Sequence, residues 1–238
     1  MPSHRAMVSS LDCLRQLGGE LHDDLTKNLA NGHLAGIRLV DVGQGDCFAI
    51  IAKRDETSFP LMYIDYGGLM DHPDRGDPER TKLRMPVKHT FGKSVIVLSH
   101  WDKDHYWSAK WKNTDAKESL WLVPNQLISP QAAKFSAELK NAVRWPEALE
   151  EQVIAVTLRD HIVLIRKCGK RNKGIASEDR NLTGLAITIH NSGITQSPQV
   201  IFPGDCPLNR IPNLPSVKIS LITAPHHGSK KGLAVVVN

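Results

Sequence analysis

Within six residues, His100, Asp102, Asp104 and His105 place two imidazoles and two carboxylates on one short segment, Ser99-His100-Trp101-Asp102-Lys103-Asp104-His105. Imidazole nitrogen and carboxylate oxygen are the ligands that hold Zn²⁺, Mn²⁺ or Fe²⁺. Buried without a cation, such a cluster suffers repulsion between like charges and loss of hydration. The apolar run Val95-Ile-Val-Leu98 before it reads as a buried strand, so the polar residues stand at a strand exit. The arrangement recurs twice. Val200-Ile-Phe-Pro-Gly204-Asp205 is an apolar strand ending in an acid behind a glycine, and Ile219-Ser-Leu-Ile-Thr-Ala-Pro225 leads into His226-His227-Gly228-Ser229. Taken singly, the second reads as a turn and the third as a histidine pair at the surface or behind a ligand, while a solvated charged loop is the lesser alternative for the first. Taken jointly, strands delivering His and Asp to one edge are what a two-metal hydrolytic site requires.

The elements that must position these residues are mostly strands. Ile37–Val42 and Cys47–Ala52 are apolar runs joined by Gly43-Gln44-Gly45-Asp46, which reads as a hairpin. Further strands are expected at Leu61–Asp65, Ser94–Ser99, Leu120–Val123, Val153–Leu158, Ile162–Arg166, Leu185–His190, Gln199–Phe202 and Val217–Thr223. Residues 9–30 read as a helix. Leu11, Leu14, Leu17, Leu21, Leu25 and Leu29 recur at helical spacing after the candidate caps Ser9 and Ser10, and Asn31-Gly32 can end it. A second helical pattern covers Gln131–Val143, broken by Pro146, and a short one comes after His105. Residues 68–92 read as a long polar loop. The pattern indicates a layered α/β or α+β sandwich. We divide the chain into an N-terminal helical extension, 1–36, and a main domain, 37–238.

The 238 residues fit one large domain, with 41% hydrophobic and 23% charged side chains. A net charge of +5 and a pI near 9.0 favour anionic partners such as nucleic acid, nucleotides or phosphoesters. No run approaches the roughly 18–20 apolar residues of a membrane span, and no signal peptide is recognisable. Cys13, Cys47, Cys168 and Cys206 form no C-x-x-C pair. A cytoplasmic protein with reduced thiols is the expectation.

Asp41-Val-Gly-Gln-Gly-Asp46, Ile64-Asp65-Tyr-Gly67-Gly68, Ser99-His100-x-Asp102-x-Asp104-His105, Pro203-Gly204-Asp205 and Pro225-His226-His227-Gly228-Ser229 together resemble the metallo-β-lactamase superfamily. The branch most similar is the hydrolase domain of competence (DNA-uptake) proteins, over about residues 37–230. The resemblance implies an αββα sandwich with two divalent ions, Zn²⁺ or Mn²⁺ with Fe²⁺ a further candidate. It implies that His100 and Asp102 serve one ion, that Asp104 and His105 serve the other, and that Asp205 bridges them. One of His226 and His227, taken as His227, completes the second site, and the other lies near the substrate. Asp65 orients ligands from behind. Gly43 and Gly45 permit the tight first hairpin.

The pattern departs from the family in three places. Asp102 stands where a histidine is usual, which shifts preference toward harder cations. A further histidine ligand usual in many members has only His161 and His190 as counterparts, although Asn181-Leu-Thr-Gly-Leu185 resembles the competence branch. Relatives usually continue through further strands beyond Ser229, where nine residues remain.

The leading expectation is a phosphodiesterase or nuclease in which the ions activate a water for attack, with Asp104, His226 and His227 as catalytic residues. Lys103 and Ser229 are candidate substrate contacts. Tyr106, Trp107 and Trp111 either stack on a base or pack a helix on the sheet. Arg166, Lys167, Lys170, Arg171 and Lys173 either contact phosphate or are a solvated hairpin tip. Two alternatives stay open: a hydrolase of a small-metabolite ester, thioester or amide, and a non-catalytic protein with a degenerate site. Oligomeric state is not legible.

Overall fold

Apolar runs assemble into two β-sheets, and a helix with leucines at every fourth position packs into the core between them. The computed structural model describes residues 4–29, 32–40, 45–68, 94–111, 113–146, 152–169, 179–192, 199–214 and 219–223. The elements are α1 (His4–Leu29), β1 (His33–Leu39), β2 (Phe48–Arg54), β3 (Thr57–Ile64), β4 (Val95–Val97), α2 (Trp107–Trp111), β5 (Leu120–Val123), α3 (Pro130–Glu138), β6 (Asn141–Arg144), β7 (Val153–Leu158), β8 (His161–Lys167), β9 (Leu185–Asn191), β10 (Gln199–Phe202) and β11 (Ile219–Ile222). The class is α+β.

The first sheet has the order β1-β2-β3-β4-β5-β6. Its first three strands run antiparallel, and β3, β4, β5 and β6 run parallel. The second sheet has the order β11-β10-β9-β8-β7, antiparallel except that β11 runs parallel to β10. β4 lies inside its sheet, buried on both faces, which is why its sequence is continuously apolar. The pleat divides it. Val95 and Val97 enter the core between the sheets, whereas Ile96 and Leu98 pack outward with Trp121 and with Phe135 of α3. Leu17, Leu21, Leu25 and Leu29 of α1 belong to the same inter-sheet core as Ile50, Val97, Ile165, Ile187 and Phe202. The 36/37 boundary drawn from the change of texture falls inside β1.

One expected element is corrected. The helical pattern of Gln131–Val143 covers a helix and a strand. Ser129 caps α3, its Oγ accepting from the Ala132 N–H at 3.2 Å, with Pro130 at the first helical position. The chain turns extended at Leu139, and residues 141–144 then pair with β5 as a sixth strand. Val143 and Trp145 both pack against the inter-sheet core. Their spacing of two is the strand signal. Leu139 and Val143, four apart, imitate a helical stripe.

Candidate metal centre

The site is built where β3, β4, β9 and β10 meet at one end of the sandwich. Asp65 comes directly after β3 in a left-handed conformation (φ 58°) and is wholly buried. Its N–H donates to the Val97 carbonyl at 2.9 Å, so the register of two parallel strands sets the carboxylate beside the β4 exit. Asp65 Oδ1 accepts from the Ser99 N–H at 2.6 Å, and Oδ2 accepts from the Ser99 hydroxyl at 2.7 Å. His105 Nδ1 lies 2.8 Å from Asp65 Oδ2, and His100 Nδ1 lies 3.0 Å from Ser99 Oγ.

These contacts assign the tautomers. The Ser99 proton goes to Asp65, so Ser99 Oγ accepts from His100 Nδ1–H, while His105 Nδ1–H donates to Asp65. In its neutral form each imidazole then carries its proton on Nδ1 and presents Nε2 as a lone pair, the form a metal ligand needs. The ring centroids are 3.9 Å apart. Asp205 stands before both: Oδ2 is 3.6 Å from His100 Nε2 and Oδ1 is 3.5 Å from His105 Nε2. His100, His105 and Asp205 each offer a ligand atom within 4.8 Å of the others, and all three residues are buried. His100 Nε2 is buried and makes no hydrogen bond among the described residues. A buried, unsatisfied imidazole nitrogen facing a second imidazole and a carboxylate fits a transition-metal cation.

Two glycines let the segments close on this loop. Gly204 precedes Asp205 with φ 56°, and a Cβ there would lie 2.6 Å from Ser99 Cβ. Gly45 (φ 94°) lies against the loop's other flank, where a Cβ would come within 1.9 Å of the Asp104 carbonyl. Asp46, next to Gly45, forms a second donor group with Asp65 and His105.

The charges respond to this packing. Burial disfavours a charged His105, but the charge and hydrogen bond of Asp65, with Asp205 and Asp104 nearby, outweigh it and raise the pKa to about 9. Burial likewise opposes the ionised Asp102, but His100 and then Arg180 outweigh it and lower the pKa to about 2.

The remaining expected site residues occupy varied positions. Asp104 Oδ1 is 3.9 Å from His105 Nε2, at the rim of the group. Asp102 Oδ2 is 3.6 Å from His100 Nε2, while its Oδ1 accepts from Arg180 Nε at 2.6 Å and lies 2.5 Å from Arg180 Nη2. Lys103 is exposed, its ammonium 6.0 Å from the centre of the Trp107 ring. His226, His227, Ser229 and Gly43 lie outside the described residues, as do Lys170, Arg171 and Lys173. β11 ends beside β10, at the same sheet edge as Asp205.

The open alternatives of the sequence are decided for His161, His190 and Tyr106, and the solvated hairpin tip expected at Arg166 and Lys167 is corrected. His161 begins β8 and His190 lies near the end of β9, whereas the site adjoins Leu185, whose N–H donates to the Ser99 carbonyl. Five residues of strand separate His190 from Leu185, about 17 Å at the usual rise, so neither histidine joins this group. Tyr106 is no base-stacking platform: it is fully buried, stacked on Phe135 at 4.8 Å. Arg166 and Lys167 are not solvated. Arg166 Nη1 donates to Thr188 Oγ1 at 2.5 Å, and Lys167 Nζ donates to the carbonyls of Cys168, Gly169 and Thr183.

Ser99, Gln126 and Arg180 carry roles that sequence reasoning missed. Ser99 lies inside the motif, but serine is not a residue type that signals a metal site. A hydroxyl between a carboxylate and two imidazoles is legible only once Asp65 is known to lie behind it. Gln126 Oε1 accepts from the Trp101 N–H at 3.1 Å, and its Nε2 donates to the Arg180 carbonyl at 2.6 Å and to Thr183 Oγ1 at 3.0 Å. Arg180 had only its adjacency to Asn181-Leu-Thr-Gly as a signal.

No family model and no curated protein matches the sequence. Among solved structures, the chain is similar to a variant of the CmlA beta-hydroxylase, at 12% identity over 74% of this chain and 31% of that one, with a TM-score of 0.39. It is similar to MEM-A1, a subclass B3 metallo-beta-lactamase from a soil metagenome library, at 14% identity over 71% of this chain and 60% of that one, with a TM-score of 0.39. It is also similar to the metallo-beta-lactamase fold protein YhfI from Bacillus subtilis, at 12% identity over 72% of this chain and 63% of that one, with a TM-score of 0.33. The chain spans less than two thirds of the length of each.

Proposed function

We propose that this chain is a metal-dependent hydrolase of the metallo-β-lactamase type, acting on a phosphodiester of a nucleotide or nucleic acid. The observation that carries the reading is the buried trio His100, His105 and Asp205, with His100 Nε2 lacking a hydrogen bond among the described residues. Bound divalent cations, two of Zn²⁺ or Mn²⁺ with Fe²⁺ a further candidate, supply Lewis acidity and lower the pKa of a water toward neutrality. The chain's own residues do the rest. Ser99 and Asp65 hold both imidazoles with Nε2 forward. Asp205 faces both imidazoles and so is suited to two ions, with Asp104 at the rim beside His105. His226 or His227 is assigned proton donation to the leaving group, and Lys103 and Ser229 are assigned contacts with the substrate.

The phosphodiester class is supported by the net charge of +5 and by the D-V-G-Q-G-D and P-H-H-G-S segments, which resemble the competence-protein hydrolase domain. Cys47, Cys168 and Cys206 are free thiols, which suits a reducing compartment such as the cytoplasm. No helix among the described residues is long and apolar enough to cross a membrane.

The test is metal content by mass spectrometry after Mn²⁺ or Zn²⁺ loading, with hydrolysis of bis(p-nitrophenyl) phosphate. His105→Ala should lose most of the bound metal and reduce hydrolysis by at least about 100-fold. Unchanged metal content and rate in a folded His105→Ala protein would overturn the reading.

A further inference from the structure

Asp102 is the one motif position where this chain puts a carboxylate in place of the histidine usual in the resembled family, and the structure gives that carboxylate a partner. Arg180 directs Nε and Nη2 at the same oxygen, Asp102 Oδ1, at 2.6 and 2.5 Å. The other oxygen, Oδ2, is 3.6 Å from His100 Nε2. The guanidinium therefore stands one carboxylate away from the metal-ligand group. Both side chains are about one-third exposed, so the pair sits at the mouth of the site.

The pair is held from behind. Gln126, nearly buried, accepts from the N–H of Trp101, the residue before Asp102, and donates to the carbonyl of Arg180 itself. One amide thus pins both backbones. Asp179 Oδ1 accepts from the Asn181 N–H at 3.1 Å and fixes the single 3₁₀ turn that starts at Arg180. A guanidinium offers five donors in a planar fork. Asp102 engages one edge, and among the described residues Nη1 has no partner. The remaining edge matches two oxygens of a phosphate group, which arginine binds bidentately.

We infer that Arg180, oriented by Asp102 and Gln126, is the anion-binding residue of this site and receives a phosphate oxyanion of the substrate. The inference rests on the hydrolase reading for its purpose but not for its chemistry, since the guanidinium is present with or without metal. A neutral Asp102–Arg180 pair also adds no more net charge than a neutral histidine would, while placing several guanidinium donors at the mouth of the site.

The experiment is calorimetric titration of inorganic phosphate into wild type, Arg180→Ala and Arg180→Lys, each metal-free and Mn²⁺-loaded, with metal content measured in parallel. Acetate and a single-stranded 12-mer DNA are titrated as further arms. Arg180→Ala should weaken phosphate binding about tenfold in both metal states while metal content stays at the wild-type value. Arg180→Lys, which keeps the charge but not the fork, should recover only part of the loss. If the 12-mer binds more tightly than phosphate and depends on Arg180, the anion belongs to a nucleic acid; if only phosphate depends on it, the substrate is a small phosphoester. Wild-type phosphate affinity in Arg180→Ala, or acetate binding equal to phosphate binding, overturns the inference and leaves the hydrolase reading standing. A wild type that takes up no metal sinks the hydrolase reading, and the metal-free titration still decides the role of Arg180.

Discussion

The two ends of the sandwich each hold a pair of histidines, and they treat them in opposite ways. At one end His100 and His105 are buried among Ser99, Asp65, Asp205 and Asp104, with each Nδ1 engaged and each Nε2 turned to a common centre. At the other end His161 and His190 line a cavity of about 450 Å³ whose remaining walls are Leu34, Ile37, Ile50, Ile189, Val200 and their neighbours, with no carboxylate among the lining residues. His190 Nδ1 is buried there without a hydrogen bond among the described residues. Burial, then the charges of Arg166 and His161, lower its pKa, whereas the carboxylates raise that of His105 to about 9. A strand end bearing histidine is thus not enough for a metal site. The carboxylate behind the ring aims it, and the carboxylate before it completes the ligand set.

The sharpest way to break this contrast is to delete one histidine at each end. His100→Ala should abolish most metal binding and lower phosphodiester hydrolysis by two or more orders of magnitude, while His190→Ala should retain wild-type metal content. Metal loss in both variants would mean that the two ends are not distinct.

Glycines separate the ends next. Gly204→Ala drives a methyl into Ser99 at 2.6 Å from a left-handed backbone, so it should cost about 2–3 kcal/mol in denaturant unfolding. Gly36→Ala, on β1 beside the apolar cavity, meets nothing within 4 Å and should change stability by no more than about 0.5 kcal/mol.

Ser99→Ala removes the hydroxyl that joins Asp65 to both imidazoles. We expect a loss of about 1–2 kcal/mol in stability and about 10-fold or more in metal affinity, read by competition with a chromogenic chelator.

The smallest effect is a difference in pH slope. His105 has a folded pKa of about 9, above its ordinary value of 6.5. It therefore stabilises the metal-free protein fully below pH 6.5, and that stability is lost as pH rises through 9. His190 has a lowered folded pKa, so the unfolded chain binds the extra proton and stability falls as pH drops below 6.5. His105→Gln should flatten the alkaline limb of a urea-midpoint profile and His190→Gln the acid limb. Mn²⁺ should remove the alkaline limb in wild type, because the cation replaces the proton.

Local information carried much of the fold. Apolar runs alone located β5, β7 and β10 to the residue: β5 and β10 lie inside their sheets and are almost continuously apolar, whereas the edge strand β7 buries every second side chain. The helix over Leu17–Leu29 was legible from its spacing. The boundary between α3 and β6 was not, since the extended state of Asn141–Arg144 is decided by pairing with β5, a strand on the far side of α3 in the chain.

By itself the sequence determined which residues stand at strand exits, and hence that His100, Asp102, Asp104, His105 and Asp205 were the candidates. That is a local property of apolar runs and of the polar residues at their ends. Only the tertiary structure decided which candidates share a centre. It set His100, His105 and Asp205 together, gave Asp102 to Arg180 seventy-eight residues away, and sent His161 and His190 to the far end. Strand direction and pairing decide such matters, and those come from burial of the whole sheet rather than from any one segment.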